Sequence, residues 1–132
     1  MKDTELREER DRALFETYTR GLATQHFSNM HDAVDWCREQ PAPKFYISSR
    51  ALSLYIGRII GGDSLGELHF STREQVMELY SRFLTYAREH SGCGYSRARI
   101  CEIIVDDPAP KFYISSTHAI SVLQKERMKR LR

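Results

Sequence analysis

Five histidines (His26, His31, His69, His90 and His118), three cysteines (Cys37, Cys93 and Cys101) and the aspartate pairs Asp32/Asp35 and Asp106/Asp107 are the side chains suited to acid-base, nucleophilic or metal chemistry. Their spacing assembles none of these. His90, Cys93 and Cys101 share one stretch, but the ligand pairs of a zinc site are missing and a fourth ligand would have to come from elsewhere. No nucleophile, phosphate loop or metal spacing of a known kind is present. Asp32 and Asp35 lie one helical turn apart and read as a solvent face, and Asp106-Asp107 reads as a helix end before Pro108. The expectation is a non-enzyme with no catalytic residue, no metal and no cofactor.

The 132 residues are 41% hydrophobic and 29% charged, the composition of a folded chain with a core rather than of a disordered tail. Either half alone would be only marginally able to bury enough surface, so one compact domain over 1–132 is expected. Twenty basic against 18 acidic residues leave +2, far from the excess that by itself argues for nucleic acid. The excess lies in the second half, much of it in Lys125, Arg127, Lys129, Arg130 and Arg132, which suit a helix C-terminus or phosphate contacts. Three cysteines without a C-x-x-C pair make a poor disulfide framework and point to a reducing compartment, the cytoplasm. The charged N-terminus is not expected to act as a signal peptide, and no apolar run approaches the ~20 residues that cross a bilayer.

These residues must be positioned by a chain that is written twice. Pro41-Ala42-Pro43-Lys44-Phe45-Tyr46-Ile47-Ser48-Ser49 recurs unchanged at Pro108-Ala109-Pro110-Lys111-Phe112-Tyr113-Ile114-Ser115-Ser116. Downstream, Ala51-Leu52-Ser53-Leu54 matches Ala119-Ile120-Ser121-Val122 if one residue is inserted in the second copy. Upstream, Tyr18-Thr19-Arg20 corresponds to Tyr80-Ser81-Arg82, with a longer connection in the second copy. Each copy, about 4–62 and 71–131, reads as three helices. Apolar periodicity places the first over about 4–25; the second starts after Ser28 or Asn29 and stops by Gln40, because Pro41 pushes the residue before it out of helical geometry. The third is capped by Ser48 and ended by Gly61-Gly62. In the second copy Ser71 or Thr72 caps the first helix and Gly92 to Gly94 break it. Ser96 starts the second, and Ser115 or Ser116 the third, to about Arg130.

The fold class expected is therefore all-α: about six helices as two tandem helix-turn-helix-like repeats with pseudo-twofold symmetry. The Lys-Phe-Tyr-Ile segments read as extended connectors, with a minimal two-stranded ribbon at Phe-Tyr-Ile as a sharper variant. The expected core includes Leu14, Tyr18, Leu22, Val34, Trp36, Phe45, Ile47, Leu52, Ile56, Leu79, Phe83, Leu84, Ile100, Ile104, Phe112, Ile114, Ile120 and Leu123.

A helix, a connector and a capped helix outline a unit whose last helix can enter a DNA major groove. The outward residues would then be Ser49, Arg50, Ser53 and Arg58 in the first copy and Thr117, His118, Ser121, Gln124 and Lys125, after Ser116, in the second; Lys44 and Lys111 are placed for phosphates. Two copies would read two half-sites of double-stranded DNA. Against this stand the low net charge and a connector longer than the usual turn. The other reading is a structural or protein-interaction module that self-associates or binds a symmetric partner, with Tyr46 and Tyr113 as candidate anchors.

Phe45-Tyr46-Ile47-Ser48 and Phe112-Tyr113-Ile114-Ser115, each after an apolar helix and before one containing Ala and Ile, carry a further signal. The chain resembles short helical proteins of gut-bacterial genomes and their phage or mobile elements, which have an aromatic-aromatic-Ile-Ser junction before the last helix. That resemblance implies a helical fold and a DNA-associated, regulatory role of mobile-element origin. It supplies no defined functional residues. Those proteins usually carry one such unit, often with Phe-Phe.

Overall fold

The computed structural model describes residues 3–131, so Arg132 of the terminal basic run lies outside the described residues. The fold is all-helical: α1 (Asp3–Thr24), α2 (Met30–Arg38), α3 (Ser49–Ile60), α4 (Phe70–Glu89), α5 (Arg97–Ile104) and α6 (Ser116–Arg130). Four starts follow from side-chain caps. Asn29, Ser48, Ser96 and Ser115 each accept the N–H three residues on, covering a donor that the first turn leaves unpaired. The start of α4 differs from expectation. His69, not Ser71 or Thr72, is its cap, its Nδ1 accepting the Ser71 N–H at 3.2 Å. Gly61 ends α3, and Gly62, Gly92 and Gly94 take the left-handed backbone that closes the turns after α3 and α4.

The helices group into two compact units. Unit 1 runs up to Tyr46 and resumes at Pro108; unit 2 is the intervening Ile47–Asp107. In unit 1, α1, α2 and α6 pack on one another; in unit 2, α3, α4 and α5 do. The packing units are therefore not the sequence repeats: each takes the first two helices of one repeat and the third of the other. The connector supplies the reason. A helix-turn-helix returns its last helix onto the preceding one through a turn of about 3–4 residues, whereas ten residues, Glu39 to Ser48, join α2 to α3. Pro41 and Pro43 hold the residues before them away from helical backbone, and the eight residues from Pro41 to Ser48, if extended, can reach up to about 26 Å.

Burial fixes how the repeats correspond. Ala33, Val34 and Cys37 of α2 are buried, as are Ile100, Cys101 and Ile104 of α5; Leu52 and Ile56 of α3 match Ala119 and Leu123 of α6. Every pair is 67 residues apart, so no residue is inserted after the repeated block. In the first helices Leu14, Thr17 and Gly21 match Val76, Leu79 and Phe83, in the register set by Tyr18 and Tyr80.

That register also explains where the expected core is wrong. The inward stripe of α1 passes through Thr17 and Gly21, one position away from Tyr18 and Leu22. The Trp36 ring seats against Gly21 so closely that a Cβ there would overlap its Cζ3. Small residues let the helices approach; Tyr18 and Trp36 are half-buried and Leu22 is exposed. In the second repeat Phe83 fills the place of Gly21 while Ile103 replaces Trp36, a reversal of large and small. Leu84, next to Phe83, is exposed like Leu22. Ile47 and Ile120 are half-buried. Leu6, Val76 and Val105, read from the sequence as apolar positions of their helices, are buried as well, as are Leu65 and Val122.

The twin connectors meet inside unit 1, but not as a ribbon at Phe-Tyr-Ile. Ala42 and Ala109 form one isolated antiparallel pair, exchanging N–H to C=O bonds of 3.0 Å in both directions. The prolines on either side of each alanine have no N–H to extend the ladder, and no strand occurs among the described residues. Beyond the pair, buried Phe45 stacks on Tyr113 with ring centroids 6.0 Å apart. Arg38 ties the second connector down, its Nε donating to the Ile114 carbonyl at 2.8 Å while its own carbonyl accepts from Phe112.

Candidate interaction site

The residues expected to touch DNA differ in their partners and exposure. Lys44 faces Glu9 at 3.7 Å, and Lys111 faces Glu39 at 3.9 Å while lying over the Tyr113 ring. Arg58 is held by Asp63 and Glu67. The Leu65 N–H and then the Arg58 guanidinium keep the Asp63 carboxyl below the usual carboxylate range. Ser53 turns toward α5, accepting from Arg97 Nε at 3.3 Å, and Arg97 spreads over Gly57. Ser49 is half-buried. Arg50 is exposed on α3, and Thr117, His118, Ser121, Gln124 and Lys125 are exposed on α6. At the N-terminus of α6, the end that would enter a groove, Ser116 Oγ donates to the Asp35 carboxylate at 3.4 Å. Tyr46 and Tyr113 are half-buried, Tyr113 in the aromatic stack. Among the described residues no group of three or more His, Cys, Asp or Glu side chains could hold a metal ion, and no helix is long and apolar enough to cross a membrane.

A site that sequence reasoning missed lies in unit 1, on the outer side of α1. Phe15, Tyr18, Thr19 and Leu22 form one wall, Leu123, Gln124 and Arg127 of α6 the other, and Met30 at the start of α2 closes the groove, about 470 Å³ in volume. Its charges are arranged asymmetrically. Glu126, buried on the inner side of α6, is flanked by Lys129 Nζ at 2.9 Å and Arg130 at 3.2 Å, and the Arg130 guanidinium lies 4.2 Å from the centre of the Phe15 ring. Burial pushes the Glu126 carboxyl up, but the two cations outweigh it and hold it below its ordinary value. Arg127 has no carboxylate partner among the described residues.

Some of the equivalent positions of unit 2 are exposed too. In the register of the buried positions, Phe15, Tyr18 and Leu22 correspond to Met77, Tyr80 and Leu84, and Leu123 and Arg127 to Ile56 and Ile60. Leu22 is 51% exposed and Leu84 48%. Met77 and Ile60 are exposed as well. The signal that could have found these faces was the excess of apolar positions on α1 and α4: each has more than one inward stripe can bury.

Against protein-family models, curated proteins and solved structures, the chain matches none.

Proposed function

We propose that this chain is a non-enzymatic protein-interaction module that offers two related apolar faces, one on each three-helix unit, to a partner. The observation that carries the reading is the pair Leu22 and Leu84: equivalent positions of the two repeats, both on a core-like apolar stripe and both about half exposed. An isolated exposed leucine is ordinary, but a clustered apolar face marks an interaction surface. The matched burial of the two repeats gives each unit a face of similar local build, which suits a partner with repeated elements. A photo-crosslinker in place of Met30 is expected to give one discrete protein adduct in extract of the source cells, absent when the crosslinker stands at Ser121 outside the groove. The same adducts from both positions would defeat the reading.

Double-stranded DNA is the second reading, supported by the exposed donors on one helix, Thr117, His118, Ser121, Gln124 and Lys125. It is weakened because Lys44, Arg58 and Lys111 already face carboxylates. A salt-dependent shift of random duplex, lost in Arg50→Ala with Lys125→Ala at unchanged melting temperature, would put DNA first.

A further inference from the structure

We infer that the groove on unit 1 takes a short amphipathic helix of a protein partner, bearing a carboxylate beside its apolar stripe, and that Arg127 reads that carboxylate; the inference rests on the interaction reading above. Shape argues for a helix. The α1 wall presents Phe15, Tyr18, Thr19 and Leu22 at i, i+3, i+4 and i+7, a rise of about 10 Å, and a partner helix places its own i and i+7 anchors the same distance apart. Backbone chemistry argues against an extended peptide. The wall residues of α1 and α6 lie beyond the first turn of their helices, so their N–H groups are paired internally and offer nothing to a strand's carbonyls. A helix brings its backbone already satisfied.

Charge then selects among helices. The lining holds one cation, Arg127, and no carboxylate. The neighbouring Glu126 is committed to Lys129 and Arg130, and Arg130 is further engaged with the Phe15 ring, so the free positive charge at the rim is that of Arg127. A planar guanidinium beside an apolar groove suits a carboxylate through paired N–H donors. In unit 2 the equivalent residue is Ile60, which leaves the acid preference to unit 1 alone.

The test uses the full chain and two fluorescein-labelled helical peptides with leucines at i, i+3 and i+7. One carries glutamate on the flank of that stripe; its twin carries lysine. Anisotropy at low salt is expected to show the glutamate peptide binding about tenfold tighter than the lysine twin, with Arg127→Glu inverting the order. Leu22→Asp is expected to abolish binding of both, with Met30→Asp as a second block and circular dichroism confirming unchanged helicity. Equal binding of the twins, or an order that Arg127→Glu leaves unchanged, overturns the acidic-partner inference while leaving the groove as an interaction site. Binding of neither peptide also overturns it, and the crosslink from Met30 then decides separately whether the groove is a docking surface. Binding indifferent to both Leu22→Asp and Met30→Asp overturns both readings.

Discussion

Among the individual side chains, the cysteines separate by environment. Burial raises the Cys37 thiol to about 12 and the Cys101 thiol to about 11, while Cys93 is exposed between two glycines. Native protein treated with iodoacetamide is therefore expected to gain one adduct, at Cys93, and denatured protein three, read by mass spectrometry. The same shifts give a sign in alkali. A thiol kept protonated by the fold contributes stability that is complete below its unfolded value near 9 and is lost as the pH rises through 11 to 12. Cys37→Ala should flatten that limb of a pH–melting curve. Glu126 works in the other direction: its depressed carboxyl adds stability that is present above its unfolded value and lost as the pH falls through the folded one. Glu126→Gln should remove that acid limb. Gly21→Ala drives a methyl into the Trp36 ring and is expected to cost about 1–3 kcal/mol in chemical denaturation, where most Gly→Ala changes inside helices stabilise.

In the helices and their connections, the caps carry the starts and the loops carry the surprises. Ser48 and Ser115 occupy the same place in the repeated block and accept the N–H of Ala51 and His118 at 3.1 and 3.2 Å. Replacing either by Ala should cost about 1 kcal/mol, and both together about twice that if the sites are independent. Unequal losses would show that the two third helices are held differently by their surroundings. Between α3 and α4, Leu65 is fully buried with a left-handed backbone, its N–H bonded to Asp63 at 2.8 Å. A core residue in a loop with positive φ has no periodicity to announce it. The one-position shift on α1 has a similar origin: Thr17 and Gly21 look too small to be core until a large neighbour, Trp36, is seated on them.

Across the chain as a whole, the exchange of third helices makes a prediction that sequence order alone would reverse. Phe45 belongs to the first repeat and Phe112 to the second, yet both are buried in unit 1. Phe45→Ala and Phe112→Ala should each cost about 3–5 kcal/mol. In hydrogen exchange both should deprotect residues up to Tyr46 together with those from Pro108 onward, leaving Ile47–Asp107 protected. If Phe45→Ala instead loosened α1, α2 and α3 as a block, the sequence repeats rather than the packing units would be the cooperative elements.

The order of amino acids was enough to reveal the helical class, the six helices within about three residues, the starts at Ser48 and Ser96 and, each as one of two alternatives, the caps Asn29 and Ser115, the stops at proline and glycine, and the burial of Phe45, Phe112 and Ile114. These depend on chemistry within a few residues of each site, which a single pass along the chain can read. Three features waited for the folded chain: which helices share an interior, which face of α1 turns inward, and that Lys44, Lys111 and Arg58 meet carboxylates. The duplication itself is the cause. Two third helices that follow identical connectors present alike caps and equivalent inward positions, so local sequence cannot distinguish a helix packed on its own repeat from one packed on the other. Long-range packing settles that choice, and with it which apolar side chains remain outside for a partner.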